Sequence, residues 1–265
     1  MPMPIDQLSL EALPPCALVE IEAIAHDWGI DHRPLDEHTS HVLRLSADGL
    51  SLRGQHQGKT ESPLRVDFFT GPYAYRLQQT QHQKREHLPR AIGVKKNQSL
   101  SVLDATAGLG RDGFLLATLG CQVTLLESSK LVGALLADGL RRAARLIEEK
   151  AWSIELIGIE SSEYLHALAK GSLAHAVWPD VIYLDPMYAP AKKSAKVKQA
   201  MRLLSEVVGP DENSALLLQL SRSIAKKRVV VKRHRLAPPI DACLPDEQLI
   251  GNSTRFDIYW PKQHQ

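Results

Sequence analysis

Residues 101–127 read SVLDATAGLGRDGFLLATLGCQVTLLE, and the fold turns on this stretch. Ser101 to Ala105 is a short apolar run that ends in an acid, the pattern of a strand buried on both faces. A turn with Gly108, Gly110 and Gly113 follows. Phe114 to Leu119 then reads as an apolar helix stretch, and Gln122 to Leu126 as a second strand closed by Glu127. The alternation continues downstream. Leu131 to Glu149 carries apolar residues at helical spacing. Ile154 to Ile159 and Val181 to Leu184 read as the third and fourth strands, and Arg228 to Lys232 and Phe256 to Trp260 as later ones. Ser194 to Val208 and Leu216 to Lys227 read as helices between them. Strands alternating with helices predict an α/β fold, a parallel sheet with helices on both faces. In such sheets the ligand lies beyond the carboxyl ends of the strands, where glycines and acids gather here.

The residues before Leu100 are mixed. Leu18 to Ala25 fits a short helix or strand. His41 to Leu52 predicts a hairpin around Ala47-Asp48-Gly49. Leu64 to Phe69 reads as a strand, and residues 76–90 (RLQQTQHQKREHLPR) as an exposed helix or a connector.

The chain has 265 residues, 44% hydrophobic and 23% charged, which is ordinary globular usage. No apolar stretch approaches the roughly 18–20 residues of a membrane span. The opening MPMPIDQLSL has neither the basic nor the apolar region of a secretory signal. Cys16, Cys121 and Cys243 are scattered, without CxxC spacing. A cytoplasmic protein without a metal site is expected. The net charge of +2 conceals an asymmetry. Residues 190–235 hold 12 basic and 3 acidic groups, net +9, so the rest of the chain is acidic.

Two cofactors compete for the glycine turn. Gly108, Gly110 and Gly113 satisfy GxGxxG, and Glu127 follows about twenty residues on, as a nicotinamide dinucleotide site requires. Asp104, just before the glycines, suits a cationic ligand better than a pyrophosphate. S-adenosylmethionine (SAM) has a sulfonium, an amine and a carboxylate but no phosphate. In that reading Asp104 and Asp112 lie near its methionine end, Glu127 holds the ribose, and Gly108 and Gly110 let the backbone approach.

The fourth strand runs into Asp185-Pro186-Met187-Tyr188. An aryl amine is a poor nucleophile because its lone pair is delocalised. The Asp185 carboxylate and the Pro186 carbonyl can accept its N–H bonds, favour the pyramidal nitrogen and aim it at a methyl donor, while Tyr188 stacks on the base. Glu160, Ser161 and Ser162 follow the third strand, either as an adenine contact or as an ordinary helix N-cap.

The blocks VDFFTGPYAYR (66–76), LDATAGLGRDGFLLATLGC (103–121), LLADGLRRA (135–143), LDPMYAPAKKSAKVKQAMR (184–202) and KRVVVKRHRLAPPI with the later RFDIYW resemble the RsmJ family of small-subunit ribosomal RNA methyltransferases. The resemblance spans roughly 64–260. It implies a Rossmann-like class I methyltransferase domain over 99–265 behind a small N-terminal α+β lobe and connector over 1–98. The activity it implies is methyl transfer from SAM to N2 of a guanine near the 3′ end of 16S ribosomal RNA, naked or in the 30S subunit; a monomer is expected. It carries cofactor contacts to Arg111, Asp112, Glu127, Ser128, the Glu160–Ser161 region and Asp185. Residues 77–89 depart from the family in being Gln- and His-rich rather than Gly- and Arg-rich. Another base amine, such as adenine N6, or another RNA or DNA is the alternative substrate. An NAD-dependent oxidoreductase is the remoter one.

The basic segment then gains a meaning. Lys192, Lys193 and Lys196 leave the Asp185 motif, and Lys226, Lys227, Lys232 and Arg233 flank the next strand. Two basic runs converging near one strand edge are expected to hold the RNA backbone around an unstacked target base.

Overall fold

The structure is a computed structural model. It describes residues 8–36, 39–56, 59–60, 62–82, 86–146, 152–173, 177–186, 203 and 213–262. Two compact units emerge, one drawn from 1–69, 129–150 and 188–210, the other from 70–128, 151–187 and 211–265. Residues 70–98, expected with the lobe, fall in the second unit, and 129–150 fall in the first.

The first unit is built on a four-stranded sheet in the order β1-β2-β3-β4, with β1 (Leu8–Ala12), β2 (His41–Ser46), β3 (Gly49–His56) and β4 (Lys59–Thr60). The expected hairpin is present. Ser46 pairs Gly49 across a two-residue turn, and Gly49 has a φ of 104°, which suits glycine. Helix α1 (Leu18–Asp27) turns Ile21 and Ala25 inward, four residues apart on one face. Residues 64–69 are not a strand. Leu64 makes only an isolated bridge to Leu52, and the Asp67 carboxylate accepts the Phe69 N–H, a local turn that draws the backbone away from a ladder. The long helix of this unit, Lys130–Leu146, buries Asp138. That carboxylate accepts the Leu50 N–H at 2.9 Å and the Arg142 Nε–H at 2.8 Å.

The second unit carries a seven-stranded sheet flanked by helices. Its helices and strands are α2 (Gly71–His82), α3 (His87–Ile92), β5 (Ser101–Asp104), α4 (Arg111–Thr118), β6 (Gln122–Leu126), β7 (Ile154–Ile157), α6 (Ser161–Ala169), β8 (Val181–Leu184), α7 (Ser214–Ile224), β9 (Arg228–His234), β10 (Glu247–Ile250) and β11 (Thr254–Tyr259); the helix of 130–146 is α5. The strand order is β10-β11-β9-β8-β5-β6-β7, antiparallel at both β11 pairings and parallel elsewhere. The chain leaves β5 in one direction to β6 and β7, then returns to β5's other side at β8. The order therefore reverses between β5 and β8, which is where a crevice forms.

Alternation along the strands sorts the side chains. Leu103, Ile182, Leu184, Val229 and Val231 join Leu165, Leu168, Leu217 and Leu218 of α6 and α7 in one core. Val102 and Asp104, Tyr183 and Asp185, and Val230 and Lys232 have the opposite parity and share the other face. Residues 76–90, expected to be exposed, instead supply parts of α2 and α3, with Leu77 and Leu88 buried. Strands β1 and β10 escaped the sequence reading, and helix 194–208 lies outside the described residues apart from buried Leu203. Among the described residues no helix is long and apolar enough to cross a membrane.

A Cβ at Gly139 in α5 would lie 2.4 Å from Val66 Cγ1 and 2.7 Å from Val66 Cβ. Gly139→Ala is therefore expected to destabilise the protein by about 1–3 kcal/mol, outweighing alanine's helix preference of about 1 kcal/mol. Urea denaturation measures this; a more stable variant would contradict the close approach.

Candidate active site

The glycine turn joins β5 to α4. Gly108 and Gly110 have φ values of 52° and 70°, open to glycine at little cost. A Cβ on Gly108 would meet nothing closer than 4.0 Å, so the backbone here lines an open cradle. The Gly108 N–H donates to Glu127 Oε2 at 2.8 Å, which ties the turn to the end of β6. Glu127 is buried, and Ser128 beside it is exposed.

Around this turn the sheet face of opposite parity to the α6–α7 core gathers its charges. Asp112, in the first turn of α4, accepts from Tyr183 Oη at 2.7 Å, Arg76 Nη1 at 2.6 Å and Lys232 Nζ at 2.8 Å. The same Lys232 Nζ reaches Asp185 Oδ2 at 2.7 Å. The backbone N–H of Asp185 donates to Thr106 Oγ1 at 2.6 Å, which fastens the residue after β8 to the glycine turn. Arg76 also pairs with Glu86, and the Tyr73 hydroxyl donates to the Arg111 carbonyl. Arg111 itself is exposed, and Pro186 is buried beside Asp185.

The three carboxyls are not equivalent. Burial pushes Asp104 up to about 8; Asp112 and Asp185 push the same way, against the Thr106 N–H and Lys232. Asp104 is thus largely protonated at neutral pH. Burial also works to raise Asp112, but Lys232 and Arg76 overcome it and hold that carboxyl well below the usual range. Lys232 is the mirror case: burial disfavours its charge, and the two carboxylates more than restore it. Tyr183 is kept neutral by burial and by the surrounding carboxyls.

Other sequence expectations separate. Glu160 caps α6 by accepting the Glu163 N–H, and Ser161 Oγ donates to the Ala105 carbonyl at 2.6 Å, which ties the start of α6 to the residue after β5. Lys226 and Lys227 precede β9, at the sheet edge opposite Asp185, and Lys227 pairs with Asp180 at 3.1 Å. Arg233 is buried with its parity away from Asp185 and donates to the Pro238 carbonyl. Within the second basic run the side chains thus do not gather in one place: Lys226 and Lys227 stand at one end of β9, and Lys232 and Arg233 on its opposite faces. Tyr188, Lys192, Lys193 and Lys196 lie outside the described residues. Sequence reasoning missed Tyr73, Arg76 and Tyr183. Tyr73, Arg76 and Leu77 stand at i, i+3 and i+4 of α2, a helical face hidden by starting the segment at residue 76. A cavity of about 470 Å³ near Trp152, Tyr164 and Ser101 lies at the far ends of the strands and holds none of these charges. Among the described residues no group of three His, Cys, Asp or Glu is placed to hold a metal ion.

A family model described as "Putative SAM-dependent methyltransferase" matches residues 23–261. "Ribosomal RNA small subunit methyltransferase J" of Thioalkalivibrio sulfidiphilus is 43% identical over 240 residues, 90% of this chain and 91% of its own. The protein of the same name from Nitrosococcus oceani is 46% identical over 218 residues, 82% and 83% of the two chains. The chain belongs to the ribosomal RNA small subunit methyltransferase J family. A crystal structure of a SAM-dependent methyltransferase from Neisseria gonorrhoeae matches with a TM-score of 0.73 and 32% identity over 97% of both chains.

Family membership makes the chain a SAM-dependent methyltransferase, and the residues fit that cofactor. The open glycine cradle admits it, and the buried carboxylate of Glu127 suits ribose hydroxyls. The dinucleotide reading falls. The Gly108 amide, one of the donors a pyrophosphate would need, is taken by Glu127.

Asp104 gives a pH test. Its folded value lies above its unfolded one, so the folded chain holds a proton that the unfolded chain releases between about pH 4 and 8. This group's contribution to stability therefore declines as pH rises through that window. Asp104→Asn keeps the shape and cannot ionise. Its stability relative to the native chain is expected to improve by more than about 1.4 kcal/mol, one pKa unit, between pH 5 and 8.5. Denaturation at several pH values measures it; a difference independent of pH would mean an ordinary, ionised Asp104.

Proposed function

We propose that the chain transfers a methyl group from SAM to the exocyclic N2 amine of a guanine in small-subunit ribosomal RNA. The observation that carries this reading is Asp185, held at the end of β8 beside the glycine turn, in a chain whose relatives are named for small-subunit ribosomal RNA. SAM supplies the electrophilic methyl when bound. Asp104, Gly108, Gly110, Arg111, Asp112, Glu127 and Ser128 are the residues proposed to hold it, with Glu160, Ser161 and Asp185 completing the site. The Asp185 carboxylate and the Pro186 carbonyl accept the N–H bonds of the amine and orient its lone pair, and Tyr188 stacks on the unstacked base. The methylated nitrogen is strongly acidic before it loses its proton, so no strong general base is needed. Lys192, Lys193 and Lys196 hold the RNA backbone through charge, which positions without reading sequence.

The test is to incubate labelled SAM with the protein and with 16S ribosomal RNA, 30S particles, 50S particles or DNA, and to identify the modified nucleoside by mass spectrometry. N2-methylguanosine from small-subunit RNA is expected. Label on adenosine, on DNA or only on 50S particles would overturn the assignment. Asp185→Ala is expected to lower turnover by on the order of a thousandfold while leaving RNA affinity unchanged. Replacing Lys192, Lys193 and Lys196 by Ala is expected to weaken RNA binding and flatten its salt dependence by about 0.7–0.9 per lost phosphate contact. Cofactor affinity should hold, and an equal loss of it would remove these lysines from the RNA face.

A further inference from the structure

We infer that Lys232 is a positioning residue for methyl transfer, a cation that binds the Asp112 and Asp185 carboxylates into one unit across the sheet face. The inference rests on the function proposed above and extends it to a residue whose sequence context suggests an RNA contact.

The placement follows from register. Leu184 of β8 pairs with Val231 of β9 in parallel, so the next residues along the two strands, Asp185 and Lys232, stand side by side. Alternation within RVVVKRH sends Lys232 to the face of Asp104 and Tyr183, and sends Arg233 to the other. The ammonium then lies 2.8 Å from Asp112 and 2.7 Å from Asp185. Arg76 reaches Asp112 from α2 and pairs with Glu86 as well.

Among the described residues, the groups facing Lys232 come from several elements. They are Asp112 of α4, Asp185 after β8, Tyr183 of β8 and Asp104 of β5, with Arg76 of α2 beyond Asp112. Two ionised carboxylates and a third carboxyl share one partly enclosed face. A cation between them keeps both ionised and fixes the plane of the Asp185 carboxylate relative to the glycine turn. Asp185 must be ionised and correctly turned to accept an amine's N–H bonds. Lys232 thereby acts through Asp185 and does not touch the acceptor. Its ammonium, held between two carboxylates, has no capacity to take the proton that the methylated nitrogen sheds.

A phosphate-binding lysine would behave differently, so the two roles can be told apart. Lys232→Met and Lys232→Arg are compared with the native chain for kcat at saturating RNA, RNA affinity over a range of salt, cofactor affinity, and the acidic limb of the pH–rate profile. The methionine variant is expected to lose kcat on the order of a hundredfold and to move the acidic limb upward by about one pH unit or more. RNA affinity and its salt slope should stay as in the native chain. The arginine variant restores the charge and should return the limb to its native position. Carboxyl-carbon NMR of the cofactor-free protein gives a readout without turnover, with Asp112 titrating at higher pH once Lys232 is methionine. Lys232→Gln serves the same comparisons if the methionine variant does not fold.

Two results would overturn the inference. A weaker RNA complex with a salt slope reduced by about one, and kcat intact, would make Lys232 a phosphate contact. An unmoved acidic limb, with methionine and arginine variants equally impaired, would leave it a packing residue. Methylation of small-subunit RNA by the native chain tests the parent reading separately. That reading can fail while the Lys232 effects persist on another nucleic acid.

Discussion

Asp112 sits almost wholly out of water, and three hydrogen-bond donors converge on it from three separate elements. Removing one partner of a buried ion pair costs about 3–5 kcal/mol, because a charge is left behind without solvent. Arg76 on α2, Tyr183 on β8 and Lys232 on β9 are therefore bound to their places by one carboxylate at the head of α4. The glycine turn that begins α4 is held by the same requirement. Thr106 within it receives the Asp185 amide, and Gly108 donates to Glu127, so the ends of β5, β6 and β8 are cross-linked around the cradle. The neutral Asp104 belongs to this arrangement. With two ionised carboxylates already matched by a lysine and an arginine, a third negative charge in the same enclosed space would have no partner.

Much of the parallel sheet was legible in the sequence because its central strands are near-continuous apolar runs. SVLD, QVTLL and VIYL have few other ways to bury themselves, and their terminal acids fall where a doubly wound sheet puts its ligand. Two edge strands were harder. β1 in the first unit and β10 at the edge of the seven-stranded sheet are short and only partly buried, and each gains its conformation from a paired neighbour instead of from its own pattern. Residues 64–69 show the converse. Their composition favours a strand, but Asp67 bonds its own backbone and the Val66 carbonyl is taken by Arg142 from α5.

The site was legible in its carboxylates and illegible in its cations. Asp104, Asp112, Glu127 and Asp185 stand beside turn residues that announce them. Arg76 is hidden in a polar segment whose helical face becomes visible only with Tyr73 included. Lys232 was hidden by composition. Counted as part of a net +9 segment, it looks like one more solvent-facing base; read by parity along β9, it belongs with Asp185 and Tyr183, and its neighbour Arg233 does not. Charge totals describe a surface well and a strand poorly, since adjacent strand residues inhabit different environments.

That parity makes β9 a counting device. A surface loop absorbs one added residue with little effect, but a single insertion or deletion upstream of Lys232 within the paired part of β9 would turn Arg233 or Val231 toward Asp185 and send the lysine into the α6–α7 core. A change of two residues would restore the faces while shifting the pairing with β8 and β11. Across the chain's descendants, length variation is therefore expected to accumulate between the strands and to be absent inside VVVK, where the spacing itself carries chemical meaning.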